Sequence, residues 1–304
     1  MKEKVSFKNA NLNTAGALYL PEGMNPENKY AAIVCVHPGG GVKEQVAGLY
    51  AGKLADAGYV ALAFDASNQG ESEGEPRYLE DPAKRVEDVR CAVDYLVTLP
   101  YIDAERIGVI GICAGGGYAV SAAQTESRIK AVAGISSVDI GRFFREGLGG
   151  TVSVGAQLET LAAVGRQRTA EARGAAPVYL PYAPNSAEEI NDQTPDLMRE
   201  AYEYYRTPRG QHPNSTNQLL FVSCDRIMAF SAFSQVDTLL NKPLLLVAGD
   251  IADTRYFSEE AYRLAKAPKE LLLIRGATHI DLYDMPDFVK QVVDKLKEFF
   301  GKYL

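Results

Sequence analysis

The stretch Gly-Ile-Cys-Ala-Gly at residues 111–115 constrains the fold most, because it joins an apolar run to a helical run through a sharp turn. The apolar run covers residues 106–112, and a run of small residues at 116–123 follows. Strand, tight turn and helix form the setting of a nucleophile elbow, whose central residue adopts a strained backbone. Glycines two positions to either side satisfy the need for small neighbours. Cys113 is therefore a candidate nucleophile, and the alternative is a buried cysteine in a glycine-rich turn.

Apolar runs alternate with amphipathic stretches along most of the chain. The pattern predicts strands at 31–36, 59–64, 106–112, 129–135, 243–248 and 270–274, and helices at 83–99 and 286–304. Continuous apolar strands between amphipathic helices are typical of a parallel sheet covered on both faces. We therefore expect an α/β protein with a mostly parallel, doubly wound sheet, and a β-hairpin at residues 5–19 as its antiparallel edge.

The alternation stops between about residues 140 and 240. Helical stretches at 156–172 and 195–205 are joined there by proline-rich loops, and tyrosine and phenylalanine are frequent. We interpret this region as a helical cap inserted into the core, with the core at 1–138 and 241–304 and the cap at 139–240. The alternative is a packed helical subdomain without a role in substrate binding.

Composition narrows the class of protein. The chain has 304 residues, of which 46% are hydrophobic, and a net charge of -7. An acidic chain is a poor partner for nucleic acid or anionic membranes. It has no apolar leader at its start, no membrane-length apolar run and no metal-ligand spacing among its four cysteines. We expect a cytoplasmic protein without metal or cofactor, and the sequence leaves the oligomeric state open, with a homodimer as one option.

A cysteine nucleophile needs a general base, and histidine suits neutral pH best. Of the three histidines, His279 lies in a loop after the predicted strand 270–274, where it could reach the elbow. The carboxylate that would orient it should follow strand 243–248, where Asp250 and Asp253 are both available. We favour Asp253, because it lies further into the loop.

A glycine loop supplies the remaining part of such a site. His37 is followed by Pro38 and three glycines at 39–41, at the end of a predicted strand. Glycines let backbone amides approach a carbonyl oxygen closely. We expect an oxyanion hole formed by the amide of Ala114 and an amide from Gly39 or Gly40, with His37 holding the loop.

The order of glycine loop, nucleophile, acid and base resembles the α/β-hydrolase superfamily, and cysteine in the elbow resembles its dienelactone-hydrolase branch. The chain is most similar to a bacterial group of capped hydrolases of YcjY type. The similarity lies in Gly-Ile-Cys-Ala, in Ala-Asp-Thr-Arg-Tyr-Phe-Ser-Glu at 252–259 and in Gly-Ala-Thr-His-Ile-Asp-Leu-Tyr-Asp at 276–284. This resemblance implies an α/β-hydrolase fold with Cys113, Asp253 and His279 as the catalytic triad.

The leading hypothesis is an acyl hydrolase acting on a small ester, thioester or lactone through an acyl-cysteine intermediate. An acyltransferase or transesterase could use the same residues with a different acceptor. A thiol-sensing or binding protein on a hydrolase scaffold is a third hypothesis, because a low-pKa thiol is readily oxidised. A metal-dependent hydrolase is disfavoured because the three histidines are scattered along the chain.

Overall fold

An eight-stranded sheet forms the centre of the computed structural model, which describes residues 1–304. Its strands are β1 (Lys2–Asn9), β2 (Leu12–Tyr19), β3 (Tyr30–Val36), β4 (Val60–Phe64), β5 (Ile102–Ile112), β6 (Ile129–Ile135), β9 (Leu244–Gly249) and β10 (Lys269–Ile274). The spatial order is β1-β2-β4-β3-β5-β6-β9-β10. Strands β1 and β2 are antiparallel to their neighbours, and the others pair in parallel.

Helices cover both faces of this sheet. They are α1 (Val46–Asp56), α2 (Pro82–Thr98), α3 (Ala114–Thr125), α8 (Arg255–Leu264), α9 (Asp281–Asp284) and α10 (Pro286–Tyr303). Along β3, Val34 belongs to the apolar cluster shared with α2, α3 and α8, while the adjacent Ile33 and Cys35 belong to the cluster shared with α1 and α10. Because successive strand side chains point to opposite faces, an uninterrupted apolar run is buried on both sides.

The predicted α/β-hydrolase fold is confirmed, including the antiparallel edge hairpin. Helices α1 and α8 lie where the sequence analysis made no prediction. Seven residues of α1 are buried, so its apolar residues do not mark one narrow stripe. No helix in the structure is both long and apolar enough to cross a membrane.

The segment between β6 and β9 adds no strand to the main sheet. It contains α4 (Ile140–Glu146), α5 (Val154–Ala172), α6 (Asp196–Arg206), α7 (Cys224–Ala229) and a two-stranded ribbon of β7 (Tyr179–Leu180) and β8 (Leu219–Leu220). We call this segment the cap. Strands β6 and β9 nevertheless pair directly, so the segment leaves the sheet and returns to the neighbouring strand.

The turn between β5 and α3 depends on close backbone packing. Cys113 has φ 57° and ψ −125°, a conformation that L-residues rarely adopt. A Cβ added at Gly111 would lie 2.0 Å from the Gly115 carbonyl oxygen, and one at Gly115 would lie 2.3 Å from the Val36 carbonyl oxygen. Glycine at 115 lets the first turn of α3 contact the end of β3, and glycine at 111 lets that turn lie against the end of β5.

We therefore expect Gly115→Ala to destabilise the protein by about 3 kcal/mol, because backbone on both sides has to move. The matched control is Gly165→Ala in α5, where an added Cβ meets no atom within 4 Å. That change should stabilise the protein by about 0.5–1 kcal/mol through helix propensity. Urea denaturation of the two variants tests both signs. Equal stability of Gly115→Ala and the wild type would contradict the packing constraint.

Candidate active site

A cavity of about 350 Å³ lies between the carboxyl ends of the strands and the cap. Sixteen of its 19 lining residues are hydrophobic, and none of the 19 carries a fixed charge. One face of α6 forms part of the roof through Leu197, Met198, Ala201 and Tyr205, whose spacing places them on the same side of the helix. The cavity therefore accepts a neutral, mostly apolar group.

Cys113 lies at the floor of this cavity and is partly exposed to it. The Tyr283 hydroxyl and the backbone amides of Ala114 and Gly39 lie within hydrogen-bonding reach of its Sγ. Burial raises the pKa of the thiol, and these three hydrogen bonds lower it by less. The resting state is therefore the neutral thiol, because desolvation outweighs the effect of the amides.

The two amides that reach the sulfur are those of Ala114 and Gly39. Of the two glycine-loop residues left open by the sequence, Gly39 is the one whose amide lies within reach of the sulfur. Gly40 has φ 69°, and a Cβ there would lie 2.6 Å from the ring of Tyr182. Its carbonyl oxygen accepts a hydrogen bond from Ser215 at 2.7 Å. Gly40 thus shapes the loop, whereas Gly39 points its N–H at the reacting atom.

His279 is almost fully buried beside this floor. Its Nδ1 pairs with Thr254 Oγ1 at 2.5 Å, and its Nε2 pairs with the Tyr283 hydroxyl at 3.2 Å. Ser136 donates a hydrogen bond to the His279 carbonyl oxygen. Burial lowers the pKa of the imidazole to about 3, so the ring is neutral at physiological pH.

Tyr283 is the functional candidate that the sequence analysis missed. Its hydroxyl contacts both Cys113 Sγ and His279 Nε2, and no direct hydrogen bond joins the sulfur to the imidazole. The available signal was its spacing: Tyr283 lies four residues after His279, a distance that brings two side chains together on one helical turn. The tyrosine hydroxyl thus bridges the candidate nucleophile and the candidate base.

The two acid candidates lie apart from the imidazole. Asp253 is exposed, and its Oδ2 accepts a hydrogen bond from the Leu197 amide at 3.2 Å, in the first turn of α6. Asp250 Oδ1 accepts one from the Gly276 amide at 2.6 Å. The Thr254 hydroxyl, not a carboxylate, occupies the position next to Nδ1. The assignment of Asp253 as the triad acid stays a prediction.

A buried arginine that does not line the cavity stabilises the glycine loop. Arg85 donates a hydrogen bond from Nη2 to the His37 carbonyl oxygen at 2.6 Å. His37 Nε2 accepts one from the Ala66 amide, which agrees with the structural role expected of this histidine. The guanidinium lies 4.8 Å from the ring centroid of Tyr118 and 3.7 Å from a carboxylate oxygen of Glu80. Glu80 therefore balances the charge of Arg85, and neither residue lines the cavity.

The same carboxylate connects the cap to the core. Glu80 accepts hydrogen bonds from the hydroxyls of Tyr118 in α3, at 2.7 Å, and Tyr182 in the cap, at 3.2 Å. A second connection is the pair of hydrogen bonds from Arg209 in the cap to Asp284, one residue after Tyr283. The cap is therefore attached on both sides of the reacting groups.

One cluster of carboxylates elsewhere has the spacing of a metal site. Oxygens of Glu44, Asp65 and Glu71 lie within 4.8 Å of one another. The Lys43 ammonium group already contacts all three at 2.7, 2.8 and 2.7 Å. This lysine balances the cluster, and no group at the cavity floor has metal-ligand character beyond Cys113 and His279.

Comparison with known proteins supports the α/β-hydrolase fold. A model of the dienelactone hydrolase family matches residues 15–140. The chain is 40% identical to the uncharacterized protein YcjY of Escherichia coli over 308 residues, which covers all of both chains. The crystal structure of PA2218 from Pseudomonas aeruginosa is 37% identical, with a TM-score of 0.92 over 100% of this chain and 94% of that one. The polyketide transferase claH of Penicillium crustosum is 28% identical and matches 99% of this chain and 97% of its own. The chain therefore belongs to the dienelactone hydrolase family of α/β-hydrolases, together with YcjY and PA2218.

Proposed function

We propose that this protein is an acyl hydrolase in which Cys113 forms an acyl-cysteine intermediate with a neutral ester, thioester or lactone. The observation that carries the proposal is the convergence of two backbone amides and the Tyr283 hydroxyl on Cys113 Sγ, with His279 one hydrogen bond further on. A thiol at the floor of an apolar cavity, next to oxyanion donors and a neutral imidazole, is equipped for acyl transfer.

In the first step, the sulfur attacks the acyl carbon while its proton moves to the Tyr283 oxygen. The tyrosine proton moves at the same time to His279 Nε2, so Tyr283 remains neutral and the imidazole becomes a cation. The amides of Gly39 and Ala114 then stabilise the oxyanion. The leaving group departs with the proton from His279, and the acyl-cysteine remains.

In the second step, water attacks the acyl-cysteine and gives a proton to the imidazole by the same route or directly. Collapse of the tetrahedral intermediate releases the acid and returns the proton to the sulfur. Thr254 Oγ1 holds the other ring nitrogen during both steps. We assign Asp253 the role of the negative charge that favours the imidazolium cation, from a position in the same loop.

The lining of the cavity defines the substrate class. At about 350 Å³, the cavity lies at the lower end of the range of about 300–1,000 Å³ that small-molecule pockets occupy. It contains no charged side chain to pair with a phosphate or carboxylate. The acyl part of the substrate is therefore short to medium in length and uncharged.

Acyl transfer to an alcohol or amine is the second candidate function. The observation that favours it is the likeness to claH, a polyketide transferase, along almost the whole chain. A thioester intermediate accepts any nucleophile that reaches it, and an apolar cavity disfavours water. A thiol-sensing role is less well supported, because burial raises the pKa of Cys113 and oxidation requires the thiolate.

The nucleophile assignment predicts a covalent adduct. Incubation with hexanoyl N-acetylcysteamine thioester should give a burst of free thiol and a mass increase of one hexanoyl group per chain. Cys113→Ala should lose the adduct and at least about a thousandfold in kcat. Intact-mass spectrometry with a thiol-detecting assay measures both. Unchanged turnover in Cys113→Ala would refute the mechanism, and added alcohols that divert the acyl group would identify a transferase.

The acid assignment predicts a ranking of three variants. Asp253→Asn should lower kcat about a hundredfold, less than the ~10⁴-fold loss at a directly bonded triad aspartate, because this carboxylate does not hold the ring. Thr254→Val should lower kcat about tenfold by freeing the imidazole. Asp250→Asn is the matched control and should keep kcat within about twofold, because its carboxylate faces Gly276. A larger loss in Asp250→Asn than in Asp253→Asn would reverse the assignment.

The raised pKa of Cys113 predicts a particular pH profile for alkylation. The rate of modification by iodoacetamide should rise about tenfold per pH unit from pH 7 to pH 9, because the thiolate is the reactive form. Tyr283→Phe removes a hydrogen bond that lowers this pKa, so it should react more slowly at each pH. Cys113→Ala is the control, since the other cysteines are buried. A rate that is already constant at neutral pH would instead indicate a thiolate–imidazolium pair.

A further inference from the structure

The glycine loop at residues 39–41 has no side chain of its own that fixes its backbone. Gly39 nevertheless lines the cavity together with Cys113 and Ala114, and a Cβ on Gly39 would lie 3.8 Å from the Ala114 Cβ. Glycine has the freest backbone of all residues, so an amide in a run of glycines keeps one direction only when other groups restrain it. The orientation of the Gly39 N–H therefore depends on contacts from elsewhere in the chain.

The ring of Tyr182, in the cap, makes the closest of these contacts. A Cβ built on Gly39 would lie 3.2 Å from an atom of this ring, and one built on Gly40 would lie 2.6 Å from another, so the ring lies against both glycines. Ser215, also in the cap, donates a hydrogen bond to the Gly40 carbonyl oxygen at 2.7 Å. Two residues of the cap therefore restrain the loop directly.

Tyr182 is itself fixed at both ends. Its hydroxyl donates a hydrogen bond to Glu80 at 3.2 Å, and its backbone amide donates one to Asn217 Oδ1 at 3.1 Å. Glu80 is almost fully buried and also accepts a hydrogen bond from the Tyr118 hydroxyl at 2.7 Å. The ring therefore cannot leave the loop without breaking a hydrogen bond to a buried carboxylate, which is costly.

The same carboxylate also fixes the residue that holds the start of the loop. Arg85 Nε lies 3.7 Å from a carboxylate oxygen of Glu80, and Arg85 Nη2 donates to the His37 carbonyl oxygen at 2.6 Å. His37 begins the loop, and Tyr182 lies against its glycines. The loop is thus held by an arginine of the core and a tyrosine of the cap that share one buried partner.

We propose that Tyr182 is a positioning residue whose ring keeps the Gly39 N–H directed at the oxyanion, so that the cap completes the oxyanion hole. A donor stabilises an oxyanion well only when it is already in place before the charge develops. A glycine loop released from the ring would sample other conformations and would have to be ordered again in each reaction. The role rests on the proposed acyl chemistry at Cys113.

Tyr182 also lines the cavity, so an effect on the oxyanion has to be separated from an effect on binding of the acyl chain. Trifluoromethyl hexyl ketone forms an oxyanion at the nucleophile: Sγ bonds to the carbonyl carbon, the carbonyl π electrons move to the oxygen, and the thiol proton passes to His279. Methyl hexyl ketone has the same chain but an unactivated carbonyl. NMR titration gives both dissociation constants for each variant.

Three variants test the proposal. Tyr182→Leu removes the ring and should weaken the trifluoromethyl ketone about a hundredfold but the methyl ketone by less than about threefold. Tyr182→Phe loses only the hydrogen bond to Glu80 and should weaken the trifluoromethyl ketone about fivefold. Phe144→Leu is the matched control and should affect both ketones alike, because Phe144 lines the cavity but is not among the nearest neighbours of the loop glycines. Equal weakening of both ketones in Tyr182→Leu overturns the proposal.

Alkylation by iodoacetamide shows whether the thiol stays intact in these variants. This reaction forms no oxyanion, and the Gly39 amide lowers the pKa of Cys113 less than the Tyr283 hydroxyl or the Ala114 amide does. The rate in Tyr182→Leu should therefore stay within about threefold of the wild-type rate. A rate that falls as far as the ketone affinity would mean that the ring supports the whole site, which overturns the proposal. Where Tyr182→Leu does not fold, an unchanged ketone affinity in Tyr182→Phe overturns it.

The wild type separates this proposal from the proposed function. Alkylation of Cys113 without any adduct of the trifluoromethyl ketone rejects the oxyanion hole and with it both proposals. Adducts of equal affinity in wild type and Tyr182→Leu reject the positioning role and leave the acyl hydrolase standing. A selective loss of the adduct in Tyr182→Leu, without turnover of the hexanoyl thioester by wild type, supports the positioning role and rejects the hydrolase.

Discussion

Close packing between the first turn of α3 and the end of β3 is the constraint on which the rest of the site depends. A side chain at Gly115 would collide with the backbone of β3, and one at Gly111 would collide with the backbone of Gly115, so the first turn of α3 approaches β3 and the end of β5 only because both positions are glycine. This approach holds Cys113 at φ 57° and turns its sulfur towards the amides of Ala114 and Gly39. The strain at one residue is thus maintained by packing around it, and the chemistry of the site follows from where that packing places the sulfur.

The burial of Cys113 and His279 away from water is the second physical constraint on the site. Burial raises the pKa of Cys113 and lowers that of His279, so both groups are neutral at rest. A neutral thiol and imidazole avoid the cost of two buried charges, and charge separation is then deferred until the substrate arrives. In the proposed mechanism, the Tyr283 hydroxyl between them carries the proton. The neutral resting state of both groups differs from that of an exposed thiolate–imidazolium pair. It suits the apolar acyl groups that we propose as substrates.

The cap covers the cavity and is fixed to the core by hydrogen bonds. It is joined to the core by the Tyr182–Glu80 hydrogen bond, by Arg209 on Asp284 and by the Leu197 amide on Asp253. Two of these contacts end next to a catalytic candidate, in the turn after His279 and in the loop before α8, and the third ends in the loop that leads into α2. The exposed α5, in which only Val164 is buried, takes little part in this arrangement. The cap over the cavity and the candidate catalytic residues are therefore connected through a few polar contacts.

The sequence by itself determined the sheet, because continuous apolar runs are buried on both faces wherever helices cover them, and it determined the elbow, because glycine spacing around Cys113 allows few backbone paths. It also identified His279 and the glycine loop from their positions after predicted strands. Only the tertiary structure decided that Gly39 faces the sulfur, that Thr254 and not a carboxylate adjoins His279, and that Tyr283 bridges thiol and imidazole. These outcomes depend on side-chain directions set by contacts between segments far apart in the chain.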